Sequence, residues 1–248
     1  MTAILTGRIA VVTGAAMGIG RASALALGEA GAFVYLLDID RALGEQVAEG
    51  IAAARFITCD VTSEDGVAEA THLVASETAH VDILVNNAGG FPAQRDLNTT
   101  SLDEWHQIID LNLTSVFLMT KTMAPLLRRS RAGRVINLGS LAGQTVHGRT
   151  APAYAAAKAG VHALTRVMAT ELAGDGITVN ALAPSAVLTE RIESVRNEAE
   201  RAATAASIPL GRYQTPEEIA RWVLFLASDD AGFMTGQTVS VNGGRFMI

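Results

Sequence analysis

The chain has 248 residues, 49% of them hydrophobic and only 18% charged, which fits one large α/β domain with a buried core and excludes a disordered composition. Lys plus Arg number 19 against 25 Asp plus Glu, and the formal net charge of −6 argues against a nucleic-acid partner. A single cysteine, Cys59, excludes an internal disulfide framework and a cysteine-rich zinc site, and no basic start with a long apolar run opens the chain, so a soluble, cytoplasmic protein without a membrane partner is expected.

Short runs of apolar and β-branched residues predict strands at 8–13, 33–37, 55–59, 82–86, 134–138, 177–181 and 238–241. Several are almost continuously apolar, as strands buried on both faces of a parallel sheet are. Helical stretches alternate with them. One runs from Arg21 to Ala30. Ser63 followed by Glu64 and Asp65 marks another start, with acids at the positive end of the helix dipole. Ser101–Glu104 and Thr215–Glu218 read as capping boxes, the second with Pro216 at the first helical position, and 152–172 reads as one long helix. Strand and helix alternating without linker or repeat predict one doubly wound α/β domain over 1–248. The charged, alanine-rich segment 185–207 reads as a helical flap over a substrate.

The first strand runs into Thr13-Gly14-Ala15-Ala16-Met17-Gly18-Ile19-Gly20 and then a helix. Gly14 permits a tight turn, Gly18 lets backbone approach a pyrophosphate, and Gly20 lets the helix pack close on the sheet. Free amides and the helix dipole then hold the diphosphate, although a plain glycine-rich turn has the same letters. Asp38, 18 residues past Gly20, ends the second strand, where a carboxylate accepts both adenosine ribose hydroxyls or caps the helix starting at Arg41. Asp60 and Val61, after the third strand, sit where an adenine edge would lie, and Asp60 equally suits a helix cap.

Tyr154 and Lys158 are four apart in a helical stretch and share one face. A phenol working as a base near neutral pH needs its pKa lowered by roughly three units, and an ammonium and the oxidised nicotinamide have the right sign. Ser140 follows the fifth strand with a hydroxyl for a substrate oxygen. Asn86-Asn87-Ala88-Gly89 follows the fourth strand at the same edge. Asn112 stands between Leu111 and Leu113, a polar residue bonded either to backbone or to something functional.

These motifs, in this order, resemble the short-chain dehydrogenase/reductase family over nearly the whole chain. The resemblance implies a single Rossmann-type domain with seven parallel strands and hydride transfer between NAD(H) and a secondary alcohol or ketone. It implies Tyr154 as general acid and base, Ser140 as the donor that positions the oxygen, and Lys158 holding the ribose and lowering the tyrosine pKa. Asn112 would hold a water in a proton relay. Gly14, Met17, Gly18, Ile19 and Gly20 would meet the diphosphate side of the cofactor, with Asp38, Asp60 and Val61 at the adenosine. Asn86 and Gly89 would flank the cofactor with Asn87 and Ala88 between, while Pro184, Val187 and Thr189 would meet the nicotinamide end. A homotetramer built on 103–128 and 152–172 is also implied. The chain departs from the family at Ser185, where Gly is usual, in a Ser140–Tyr154 spacing about one residue longer than the commonest one, and at Asn242, where Asp is frequent.

Asp38 repels a 2′-phosphate, Met17 and Ile39 stand where NADP users often carry cations, and Arg41 is expected to point into solvent; NAD is therefore the expected cofactor. His72, His80, His106 and His162 fall in helical stretches without metal-ligand spacing, so no metal is expected. Cys59 reads as a small buried residue, His147 as an exposed loop residue, and Arg191 and Arg196 as part of a solvated helix face. Wall positions Gly90, Phe91, Leu141, His147, Ala186 and Val187 are mostly uncharged. A noncatalytic nucleotide sensor is disfavoured by the intact acid/base set, and an epimerase or dehydratase by the lack of length for a substrate domain.

Overall fold

Strands that are apolar on both faces need cover on both faces, and alternating strand with helix supplies it. The computed structural model describes residues 4–90, 95–146 and 150–247. In chain order these form β1 (Ile9–Thr13), α1 (Gly18–Glu29), β2 (Phe33–Asp38), α2 (Arg41–Glu49), β3 (Ala54–Thr58), α3 (Glu64–Glu77), β4 (Ile83–Asn86), α4 (Leu102–Ile109), α5 (Ser115–Leu127), β5 (Arg134–Leu138), α6 (Pro152–Leu172), β6 (Thr178–Pro184), α7 (Glu190–Val195), α8 (Glu198–Ala206), α9 (Pro216–Ala227) and β7 (Thr238–Val241). A π-turn, Asp110–Thr114, joins α4 to α5.

The strands form one seven-stranded parallel sheet in the order β3-β2-β1-β4-β5-β6-β7. Successive residues of a strand serve opposite faces. Val12 joins the cluster of Leu27, Leu36, Val85 and Val223, while Val11 joins that of Leu37, Leu84, Met123 and Leu172. The chain moves outward from β1 to β3, then returns to place β4 on the other side of β1. Loops leaving β1 and β4 therefore part at their carbonyl ends, the crevice where open α/β sheets hold ligands.

Strand positions match the sequence reading, and their ends shift. β6 starts one residue later and continues to Pro184, because Leu182 to Pro184 pair with β7. β3 ends at Thr58, so Cys59 and Asp60 lie just past it. α1 begins at Gly18 rather than Arg21, drawing two glycines of the loop into its first turn. His80 is corrected from helix to the loop after α3, where it pairs with the buried Asp82 at 3.3 Å. Ser101 caps α4, but the reciprocal half of that box is missing because Glu104 faces Arg95. Full boxes occur at Thr215–Glu218 and, unexpected from sequence, at Asn197–Glu200. Among the described residues no helix is long and apolar enough to cross a membrane, and no group of three or more His, Cys, Asp or Glu is placed to hold a metal.

Candidate active site

The loops after β1 and β4 are tied to each other by one side chain from each, bonded to the other's backbone. Thr13 Oγ1 accepts from the Asn87 and Ala88 amides at 3.0 and 3.1 Å, and Asn87 Nδ2 donates to the Thr13 and Gly14 carbonyls, both at 2.9 Å. No side chain fits at Gly14 (φ +63°), where a Cβ would lie 2.8 Å from Ala88 Cα, and one at Gly20 would fall on the Gly14 carbonyl oxygen. Met17 is the N-cap of α1 and half-exposed, and no side chain caps the helix amides. Ile19 packs against the core beneath them. This is a cradle of bare backbone at a helix start, suited to a diphosphate.

Asp38 sits half-buried beside it, accepting from the Ala16 amide at 2.9 Å and the Asp40 amide at 3.0 Å. It does not cap α2; Asp40 does, accepting from Leu43. Asp60 likewise leaves the capping of α3 to Ser63 and instead bonds the amide and hydroxyl of Thr62, with Val61 buried behind it. Arg41 pairs with Glu45 in solvent. Asn86 is a correction: its side chain points into the sheet interior, to Thr120 and Asn137, and does not flank the crevice.

Opposite the cradle, Ser140, Tyr154 and Lys158 come together. Ser140 leaves β5 and opens a 3-10 turn, Leu141–Gly143, its Oγ accepting from the Ala142 amide at 3.1 Å and sharing a hydrogen bond with Tyr154. Lys158 is buried, with Nζ 2.7 Å from the Leu138 carbonyl and 5.7 Å from the centre of the Tyr154 ring. Asn112, fully buried in the π-turn, bonds the Gly90 amide at 2.8 Å and the Gly90 and Ile108 carbonyls at 2.7 and 2.9 Å. Asn112 Oδ1 and Lys158 Nζ converge on Gly89, where a Cβ would meet them at 2.8 and 3.2 Å.

Burial raises the Tyr154 phenol above its ordinary pKa, while the Ser140 hydrogen bond and the Arg191 charge pull the other way. Burial is the largest influence on the phenol and sets the direction in the protein alone; the lowering expected from sequence also counted on the charge of the oxidised nicotinamide. Lys158 itself is drawn down to about 8 by burial. His162, unread in the sequence as part of any site, lies buried one turn beyond Lys158. Burial, then the Lys158 and Arg166 charges, lower it to about 4 against a bond to the Gly143 backbone. Its signal was the spacing: Tyr154, Lys158 and His162 recur every four residues along one face of α6.

The flap is two short helices. Pro184 ends β6, Val187 is buried and bridges to Gln214, and Thr189 caps α7 with its methyl 3.2 Å from where a Cβ on Gly18 would lie. Glu190 pairs with Arg21 of α1. Arg191 is exposed on its helix face as read, and its guanidinium also comes within 2.7 Å of the position a Cβ on Gly90 would take, which puts a positive charge beside that loop. One expectation fails here. Arg196 turns inward to Thr204 at 3.0 Å and Tyr213 at 3.5 Å. Cys59 is buried as read, its thiol pushed up to about 11 by burial first and by Asp60 and Glu69. Phe91 and His147 lie outside the described residues.

Comparison with known proteins agrees with this geometry. Residues 14–245 match a family model described as enoyl-(acyl carrier protein) reductase. The chain is 41% identical over 255 residues to 3-oxoacyl-[acyl-carrier-protein] reductase FabG of Vibrio harveyi, covering 98% of this chain and 99% of the relative. It is 39% identical to the acetoacetyl-CoA reductase of Shinella zoogloeoides, covering 97% and 99%. Among solved structures, the Pseudomonas aeruginosa RhlG/NADP active-site complex superposes with TM-score 0.93 at 37% identity, covering 98% of each chain.

His162 makes stability depend on pH. Its ordinary value is 6.5 and its folded value about 4, so the unfolded chain takes up the proton first as pH falls. Stability present above pH 6.5 is lost on the way down to pH 4, by about 3 kcal/mol in total. Urea unfolding of wild type and His162→Leu at pH 7 and 4.5 measures it: the difference between the two proteins should move by about 2–3 kcal/mol against the wild type at the lower pH.

Proposed function

Since the chain belongs to the short-chain dehydrogenase/reductase family, we propose that it moves a hydride between NAD(H) and a ketone or the matching secondary alcohol, with Tyr154 as general acid and base. The observation that carries this reading is the meeting of Ser140, Tyr154 and Lys158 across the crevice from the glycine cradle. Gly14, Met17, Gly18, Ile19 and Gly20 hold the diphosphate, Asp38 the ribose, and Asp60 with Val61 the adenine edge. Asn87, Ala88 and Gly89 line the middle of the cofactor, and Pro184, Val187 and Thr189 the nicotinamide end. The nicotinamide, when bound, gives or takes the hydride.

Ser140, whose oxygen accepts from Ala142 and whose one O–H is shared with Tyr154, turns that O–H to the substrate oxygen when the substrate enters between them. Tyr154, whose raised pKa leaves it protonated near neutral pH, gives its proton to that oxygen as the carbonyl carbon is reduced. Lys158, its Nζ beside Gly89, would hold the ribose hydroxyls, and Asn112 fixes the Gly89–Gly90 backbone next to it. The names of the relatives support a 3-oxoacyl thioester as the first substrate to test, and the family description supports adding an enoyl thioester to the panel.

For the cofactor, one solved neighbour is an NADP complex. This chain sets Asp38 against a 2′-phosphate, with Arg41 held by Glu45 and with Met17 and Ile39 exposed and uncharged nearby. Two unit charges 4 Å apart at an effective dielectric near 20 cost about 4 kcal/mol, and even half of that gives more than tenfold discrimination. For assembly, the outward face of α6 carries exposed Ala156, Ala159, Ala163 and Val167, with Phe117 exposed on α5, which supports a homotetramer packed through these helices.

Tyr154→Phe should lower kcat with acetoacetyl thioester at least 100-fold while NADH affinity, read by fluorescence titration, stays within about threefold. Retention of kcat within tenfold would remove Tyr154 from its role. Wild type should show higher kcat/KM with NADH than with NADPH, and Asp38→Ala should narrow the gap chiefly by improving NADPH; wild-type preference for NADPH would overturn the reading of Asp38. Light scattering at micromolar concentration should give a tetramer mass, and a monomer mass would sink the proposed assembly.

A further inference from the structure

Three successive residues of one α6 face reach the segment that carries Ser140. Tyr154 bonds its hydroxyl, Lys158 the Leu138 carbonyl, and His162 the Ser140 amide, whose N–H points at Nε2 at 3.4 Å. The imidazole also meets the Gly143 backbone, at the far end of the 3-10 turn, in a bond that favours a ring N–H. His162 thus holds the serine turn at both ends. The turn comes down onto α6 because two of its positions have no side chain. A Cβ on Gly139 would overlap His162 Nε2, and one on Gly143 would lie 2.6 Å from the Lys158 carbonyl carbon.

We propose that His162 is a positioning residue for the reaction, a neutral clamp that sets where the Ser140 hydroxyl meets the substrate oxygen. The clamp needs an acceptor toward Ser140 and a donor toward Gly143 in one side chain, and a neutral imidazole offers both. The groups that face it keep it neutral. Lys158 and Arg166 on its own helix are cationic, and the β5 loop presents the Ser140 N–H, which repels a second donor. A hydroxyl displaced by a few tenths of an ångström loses its transition-state bond while the remote cofactor contacts survive, so the effect falls on kcat.

This inference rests on the reading of Ser140 as the oxygen-binding donor, and a set of variants separates the two. The assay uses an acetoacetyl thioester with NADH or NADPH, whichever serves better, and cofactor affinity is measured alongside. Gln carries an amide oxygen near the place of Nε2, while Asn reaches only as far as Nδ1. His162→Gln should therefore keep kcat within about threefold of wild type, and His162→Asn and His162→Leu should lose at least tenfold with cofactor affinity unchanged. Ser140→Ala/His162→Leu should be no slower than Ser140→Ala alone, because the clamp acts only through the serine. Equal rates for the Gln and Asn variants, or losses that multiply in the double variant, would overturn the clamp, and the Gln–Asn comparison stands even where the Leu variant does not fold. If Ser140→Ala by itself retains wild-type kcat, the reading of Ser140 fails instead.

Discussion

The Asn87 carboxamide, donating to the Thr13 and Gly14 carbonyls, joins two loops that leave the sheet on either side of its switch point. Parallel strands place all their carboxyl ends at one edge, and the loops that follow carry polar backbone that must be paired. Here each loop pairs with the other: Thr13 takes two amides of the β4 loop, and Asn87 takes two carbonyls of the β1 loop. With those groups satisfied internally, the first amides of α1 are left without a side-chain cap, beside a crevice whose width is set by Gly14 and Gly20. A single methyl at either glycine would part the loops, so the shape of the cradle and the pairing of the backbone are one constraint.

The same logic operates on the other wall. Helix α6 lies against the segment after β5 closely enough that Gly139 and Gly143 have no room for a Cβ, and the face thus brought near carries Tyr154, Lys158 and His162. Behind the sheet, Asn86, Asn137, Thr120 and Thr165 form a buried hydrogen-bonded chain that fixes β4, β5, α5 and α6 to one another. Buried polar groups are costly unless paired, and their geometry is correspondingly specific. Residues that a sequence motif suggests as ligand contacts, Asn86 among them, here hold the scaffold that positions the contacts.

What was legible in the sequence follows from how local its cause is. Continuous apolar runs placed the strands, because burial on both faces leaves no polar positions. Their ends were less legible: β6 reaches Pro184 only because β7, fifty-odd residues later, pairs with it. Helix starts were legible where one capping residue stood alone, as at Thr215, or was followed by acids, as at Ser63, but Asp38 and Asp40 have the same chemistry two positions apart, and only tertiary placement chooses between them. The Tyr154–Lys158 pair was legible from its spacing, while His162, four residues further on, was weighed only as a metal ligand. For Arg191 the solvated face was legible, but its approach to Gly90 was not, because that depends on how α7 settles over the β4 loop.

Burial moves Tyr154 and Lys158 in opposite directions on the pKa scale but toward the same state, since desolvation favours the neutral form of both. The protein alone therefore holds a protonated phenol beside an ammonium close to losing its proton. Whatever binds across Gly89 with hydroxyl oxygens near Lys158 Nζ restores hydrogen bonds to the charged amine and raises its pKa, and a positive charge over the phenol lowers that of Tyr154. The pair is thus poised by desolvation and charged by ligands. Arg191 adds a positive charge that favours the phenolate at the same wall. His162, kept neutral behind them, contributes no charge to this balance, so it can hold Ser140 in place without competing for the proton that Tyr154 must deliver.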